Sequence, residues 1–347
     1  MTTLQEAYEV QAVACDALGS PFMARLLRLL MTDWPTDTGL AHKCATFTGD
    51  IGPSGHSLPL RIAGGLHALR LSGDGELTAV YPPNAVDEDS FATAILNAFH
   101  QHDDFLCDWI NSAPQTNEIR RSAALMPGAA LAAARFGLPI CLSELGASGG
   151  LNLMWDHFAI ETPNWTFGAA NPAVTLTPEW HGIEPTSPLP QIAARRGVDL
   201  NPLDPTNPDD LHRMTAYLWP DQPFRLDMTR AAAGAVPAPV DKGDAVDWLE
   251  TRLNAAPEGH LHLIQNTVAW QYFPDTVQAR GIDMIHAAGK RATAEHPLAW
   301  LQLEADGDPD NQGGAGLTLQ IWPTGETINL GRADFHGRWV KWDPKEV

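Results

Sequence analysis

Basic residues are scarce in this 347-residue chain: 22 Lys plus Arg stand against 42 Asp plus Glu, so 42 − 22 leaves a formal net charge of −20. A surface of that sign repels phosphate backbones and anionic membranes, so neither nucleic acid nor a membrane is an expected partner. There are four cysteines, Cys15, Cys44, Cys107 and Cys141, and no C-x-x-C, which removes zinc-ribbon and dithiol readings. Cys141 lies in an apolar run and reads as a small buried hydrophobe. Neither H-x-x-x-H nor H-E-x-x-H occurs, so no metal site is expected. No apolar run reaches ~18 residues, the length of a membrane span. The opening MTTLQEAYEV lacks a basic region and an apolar signal core, which suggests a cytoplasmic protein. A G-x-G-x-x-G fingerprint is absent too, which counts against NAD and FAD.

What is there centres on the stretch PICLSELGASGGLNLMWDHF, residues 139–158. The apolar run Ile140-Cys141-Leu142 leads to Glu144, then to the glycine-rich turn Gly146-Ala147-Ser148-Gly149-Gly150. Leu151, Met154 and Phe158 come next at helical spacing, so the stretch reads as strand, tight turn, helix. Such a turn leaves backbone N–H groups at a helix N-terminus, aimed above the strand. Three readings stay open. The letters Glu144, Gly146, Ser148 and Gly150 form a nucleotide-type loop. The same letters contain G-x-S-x-G, a nucleophile elbow with Ser148 as nucleophile. The glycines could equally allow only close strand-to-helix packing.

The first ~130 residues read as mostly helical. Ser20-Pro21 opens one helix. Residues 58–80 are a hairpin or a helix between loops, and residues 90–110 form one helix. Residues 116–125 and 128–136 form two more, broken at Pro127 and ended by Gly137. From residue 138 on, strands alternate with helices and then give way to strands alone. That order predicts an α/β fold: a Rossmann-like, mostly parallel sheet with an antiparallel C-terminal strand pair, preceded by a mainly helical N-terminal region. The expected domains are residues 1–130, a cap docking over the sheet edge, and 131–347. Acids or polar clusters close four of the strands: Glu144, Asp199, Asp244 and the run Gln265-Asn266-Thr267. In open α/β sheets, ligands bind outside the carboxyl ends of strands. Asp199 precedes Asn201-Pro202, which also fits an Asx turn.

The acid-glycine pattern resembles motif I of class I S-adenosylmethionine (SAM) methyltransferases, E/D-x-G-x-G-x-G, with Ser148 in place of the middle glycine. The series of strand ends resembles the same plan. The ELGASGGLNL run, with QTNEIRRSAALMPG before it and DLNPLD and WPDQ after it, also resembles a bacterial family of unknown function, over most of the chain. That family is thought to have a methyltransferase-like Rossmann fold.

The resemblance implies SAM as cofactor, held by Glu144, Gly146, Ser148, Gly150, Asp199, Asp244 and Asn266, and a small-molecule methyl acceptor. Glu144 would face the methionine ammonium, Asp199 or Glu179 the ribose, and Asp244 the adenine. Gln271 and Tyr272 are the candidate catalytic residues. Asn117, Glu118, Arg121 and Trp270 are the candidate substrate contacts. Two other classes remain. A hydrolase would pair Ser148 with a later histidine: His262, His286, His296 or His336, the last in Asp334-Phe335-His336-Gly337. A Rossmann-like domain without catalysis would be a binding or scaffold protein.

Overall fold

The computed structural model describes residues 3–53, 55–235, 238–254 and 257–346. In chain order its helices and strands are α1 Leu4–Ala17, α2 Pro21–Thr32, α3 Gly39–Cys44, α4 Leu58–Leu71, α5 Gly75–Val80, α6 Glu88–Gln101, α7 Asp103–Trp109, α8 Ser122–Phe136, β1 Ile140–Leu145, β2 Phe158–Glu161, β3 Thr166–Gly168, β4 Val174–Leu176, β5 Glu179–Gly182 and β6 Ile192–Asp199. The rest are α9 Pro208–Ala216, α10 Pro223–Ala233, β7 Val240–Lys242, α11 Ala245–Asn254, β8 Leu261–Thr267, α12 Asp275–Gly289, β9 Leu298–Glu304, β10 Ala315–Trp322, β11 Glu326–Ala333 and β12 Trp339–Glu346. Contacts divide the chain into two units. One is Met1–Thr116 with Asn207–Asp227; the other is Asn117–Thr206 with Met228–Val347.

The first unit is helical. Its helices begin at side-chain caps: the Ser20 hydroxyl accepts from Met23 N, and Thr38, Asp74 and Asp87 cap α3, α5 and α6 in the same way. Each cap satisfies one of the N–H groups that a helix start leaves unpaired. The buried faces meet in one core that includes Tyr8, Leu26, Leu30, Ile62, Leu66, Phe91, Phe99 and Tyr217. Residues 58–80, open between hairpin and helix in the sequence, are the helices α4 and α5. Residues 90–110 are two helices rather than one. The break at His102 is held by tertiary bonds: the His102 ring lies 2.8 Å from Asp74 Oδ2, and the Asp103 carboxylate accepts from Gly39 N and Leu40 N at 2.6 and 2.7 Å.

The second unit is built on a nine-stranded sheet in the order β5-β12-β11-β10-β9-β8-β1-β6-β7. Strands β7, β6, β1, β8 and β9 are parallel to one another. Numbered by their own sequence they run 3-2-1-4-5, the order of doubly wound nucleotide-binding sheets. The antiparallel end expected at the C-terminus is present as the meander β10, β11, β12, with β5 parallel to β12 at the far edge. A separate three-stranded sheet, β3-β2-β4, lies in the connection from β1 to β6.

Helices cover both faces. On one side α11 and α12 bury Leu145, Val198, Ile264, Trp270, Trp300 and Trp322. On the other side α8 packs on β8, β9, β10 and β12. It comes close because its side chains are small, alanine-rich with a glycine at the contact: a Cβ at Gly128 would meet Leu301 at 2.7 Å. The expected break at Pro127 does not occur, and α8 runs through it. A helix-interior proline costs about 3 kcal/mol, here offset by burial along the helix, where Ala123, Leu125, Met126, Ala129 and Ala130 are all buried.

The glycine turn leads to a 3-10 segment, Leu151–His157, and straight into β2, where an α-helix was expected. Leu151 through Trp155 are all buried, so only Asp156 and His157 at its end reach solvent and there is no solvent face to give helical amphipathicity.

Candidate functional site

Because β1, β6, β7, β8 and β9 are parallel, their carboxyl ends lie along one edge. The strand order reverses between β1 and β8, and that is where α/β sheets open a crevice for ligands. Glu144 stands there, paired in register with Gly197 on β6 and Gln265 on β8. Residues opposite each other share a face of the sheet. Gln265 donates to Asn152 O at 3.1 Å and accepts from Trp155 Nε1 at 3.0 Å, so the 3-10 segment lies over this face. Glu144 is 1% exposed. Burial pushes its carboxyl up to about 8, against the pull of the Gln265 amide and the Arg121 charge. Asp199 adds to the upward push. Glu144 Oε2 has no hydrogen-bond partner.

The turn itself is closed by protein acceptors. Gly146 N and Ala147 N both donate to Val198 O at 3.0 Å, and Gly150 N to Ala147 O at 2.8 Å. Ser148 N donates to Asp199 Oδ2 and Leu151 N to Asn117 Oδ1, each at 2.8 Å. The open anion cradle expected from the sequence is therefore not formed. Gly146, at φ +71°, also faces protein: a Cβ there would meet the Ala269 Cβ at 2.5 Å. Ser148 adopts φ +52°, unusual for a residue with a Cβ, and its hydroxyl is buried without a partner. It makes no bond to a histidine, so the nucleophile–base pair of a serine hydrolase is missing. Asp334 spends its acceptors on His336 N, Arg338 N and the Arg338 guanidinium.

Around the turn, Asn117, Glu118 and Arg121 converge on one place. Asn152 Nδ2 donates to Glu118 O at 3.3 Å. Arg121 donates through Nε to Phe335 O at 2.8 Å and through Nη1 to Thr267 O, at the end of β8, at 3.3 Å. Glu118 is buried and paired with Arg120 at 3.2 Å.

The exit of β8 is held by Glu304, at the end of β9. Its carboxylate accepts from Asn266 Nδ2 at 2.8 Å, from Ala269 N at 3.0 Å and from Trp270 N at 3.1 Å, and more distantly from Gln271 N at 3.4 Å. Burial raises its pKa and these donors oppose the rise. Just before them Val268 is held at φ +49°, an outlier for a β-branched residue. Such strain persists only where the surroundings over-determine it, and it clusters at functional sites.

The remaining candidates are mostly engaged in the fold. Asn266 gives its amide nitrogen to Glu304 and its oxygen to Trp300 Nε1 at 2.7 Å. Trp270 is in the core against Trp300 and Phe273, so its ring is not open to a substrate. Gln271 accepts from Ala305 N at 3.0 Å, and Tyr272 is 59% exposed. Asp199 accepts from Ser148 N and Asn201 N, at once the loop's anchor and an Asx turn. Asp244 caps α11 through Val246 N and Asp247 N and meets Arg280 at 3.4 Å. Glu179 is ruled out as a ribose contact: it lies on β5, six strand spacings from β1, or about 29 Å at 4.8 Å per strand.

Sequence reasoning missed Glu304. Its signal was a lone acid closing an otherwise apolar strand, the same signal that marked Glu144. Among the described residues no group of three His, Cys, Asp or Glu could hold a metal ion, and no helix is long and apolar enough to cross a membrane.

Residues 5–342 match the model of the DUF2332 family, described as "Uncharacterized protein conserved in bacteria", and the chain belongs to that family. No curated protein and no solved structure matches it.

Proposed function

For this member of an uncharacterized bacterial family, we propose a SAM-dependent methyltransferase acting on a small molecule, with the cofactor at the β1–β8 switch point. The observation that carries the reading is Glu144: a buried carboxyl at the switch point with one oxygen unpartnered. Either protonation state is unsatisfied, since the acid needs an acceptor and the anion needs donors or a cation. A ligand ammonium supplies both charge and donors. Ser148 Oγ, also buried and unpartnered, offers a second contact, and Asp199, at the end of the neighbouring strand β6, is assigned to the ribose. The turn's amides are taken by protein, which disfavours a phosphate-bearing cofactor and does not count against SAM, which has no phosphate.

SAM supplies an electrophilic methyl group. This chain's part is to orient an acceptor, whose proton passes to solvent water as the methyl group is transferred. Tyr272 and Gln271, beyond the end of β8, are the groups proposed for that, with Asn117, Glu118 and Arg121 as the polar rim. Glu304 positions the segment that carries the first two.

A second reading, a binding protein without catalysis, is favoured by one observation: Asn266 and Trp270 are fully engaged in the fold. Calorimetric titration of the full chain with SAM and with S-adenosylhomocysteine tests the shared premise. Both ligands carry the ammonium, so both should bind saturably below millimolar. Absence of saturable heat with either sinks the cofactor assignment. Binding without turnover of any small acceptor leaves the second reading.

A further inference from the structure

The helical unit contains a second cluster of polar groups, three buried and one, Arg213, half-buried. Arg61 comes from α4, Trp109 from the end of α7, Arg213 from α9, and Tyr217 from just after α9. The Arg213 guanidinium lies 4.3 Å over the Trp109 ring, and the Trp109 and Tyr217 rings are 5.8 Å apart. Arg61, Trp109 and Tyr217 are each 7% exposed. The two guanidiniums are close enough for Arg213 to add to the lowering of the Arg61 pKa that burial begins.

Neither has a carboxylate. Arg61 donates to His56 O at 2.7 Å and to Ile110 O at 2.8 Å; Arg213 donates to Trp109 O at 2.9 Å. Among the described residues these are carbonyl contacts only, in a chain with 42 acids to choose from. Burying a charge without a counter-charge costs several kcal/mol. Arg213 Nε, Trp109 Nε1 and the Tyr217 hydroxyl are buried with no partner at bonding geometry. The two nitrogens are donors only, and both approach the Tyr217 oxygen, the one acceptor they share, without reaching good bonding geometry. Burial raises the Tyr217 pKa, and the nearby Arg213, Arg61 and Trp109 only partly oppose the rise, so its O–H stays protonated as a third donor.

The backbone is shaped around this cluster. A Cβ at Gly64 would meet the Tyr217 ring at 2.5 Å, and one at Gly65 would meet Leu106 at 2.8 Å and Trp109 at 3.1 Å. Each glycine in a helix interior costs about 1 kcal/mol relative to alanine. This glycine pair lets two aromatic rings lie directly on α4.

We propose that Arg61, Trp109, Arg213 and Tyr217 form a binding site for the oxyanion group, phosphate or carboxylate, of a small molecule. The anion provides the missing counter-charge and better-placed acceptors for donors that now crowd on the Tyr217 oxygen, which water-exposed surface arginines would not require. The site is independent of the sheet edge and of any SAM chemistry there.

The test is thermal shift and calorimetry on the full chain with inorganic phosphate and with citrate, at constant ionic strength. Either anion should raise Tm saturably in the millimolar range or below. A response to phosphate alone marks a phosphoester ligand; a response to citrate alone marks a carboxylate. Arg213→Gln should weaken the responding anion by about tenfold or more, the loss of a charged donor. Trp109→Phe keeps an aromatic ring next to Arg213 and removes the N–H along with part of the indole's volume. It should cost roughly threefold, and it serves even if Arg213→Gln fails to fold. No saturable effect of either anion on the wild type, or unchanged affinity in Trp109→Phe, overturns the proposal.

Discussion

Glu304 and Glu144 end two strands of the same parallel sheet, β9 and one residue short of the end of β1, and both are buried. Their surroundings differ in one respect. Glu304 is met by Asn266 and by successive backbone N–H groups, so its region is complete as folded. Glu144 has a glutamine beside it and an oxygen with nothing to bond. Buried polar groups in proteins are nearly always paired, and an exception calls for an explanation. One carboxylate builds the edge; at the other we place the proposed cationic ligand.

The sharpest way to break this contrast is at Glu304. Glu304→Ala strands the N–H groups of Ala269 and Trp270 and the Asn266 amide. Each unsatisfied buried donor costs about 1–3 kcal/mol, so urea unfolding should show a loss of about 3–5 kcal/mol. A loss under about 1 kcal/mol would mean that Glu304 is as idle as Glu144.

Glu144 should behave in the opposite sense. Its folded pKa is raised to about 8 from 4.5. Between those values the native state holds a proton that the unfolded state has released, so this group's contribution to stability falls as pH rises. Glu144→Gln removes that slope. At one pKa unit per 1.36 kcal/mol, the variant should gain about 2–4 kcal/mol over wild type near pH 8 and almost nothing near pH 5. Parallel melts at the two pH values decide it. A variant less stable than wild type at pH 8 would show that Glu144 is structurally satisfied after all.

Ser148 gives the smallest effect. Its hydroxyl is unpartnered and its φ is left-handed, so Ser148→Gly should stabilise the free protein by about 1 kcal/mol. SAM affinity should change by no more than a few fold. Labelling of Ser148 by a fluorophosphonate would instead point to nucleophilic chemistry in this turn.

The strand ends were legible because apolar runs closing in an acid are local features: the run from Ile140 was read as leading to Glu144, and β1 ends one residue beyond it. The turn was legible as a turn, but the 3-10 segment after it was not. Leu151, Met154 and Phe158 match helical spacing by coincidence: Leu151 through Trp155 are buried on every side, so the apolar letters there do not mark one helix face. Pro127 misled for a related reason: propensity is a weak prior where tertiary burial decides. Of the site, Glu144 could be named from sequence, and so could the polar cluster at Asn117, Glu118 and Arg121. That Gly146 faces Ala269 and that Asp199 holds the Ser148 amide could not. Those contacts join positions far apart in the chain, and no spacing rule connects them.

The most direct test of the central claim is SAM titration as a function of pH, in wild type and in Glu144→Gln. If the ligand's ammonium meets Glu144, binding must drive off the proton that the free protein holds up to about pH 8. Affinity should then rise about tenfold per pH unit from pH 6 towards 8 and level off above, with one proton released. Glu144→Gln should bind at least about tenfold more weakly at pH 8 and show no such rise. Affinity that is flat with pH and equal in the two proteins would contradict the claim that Glu144 is kept for a cationic ligand.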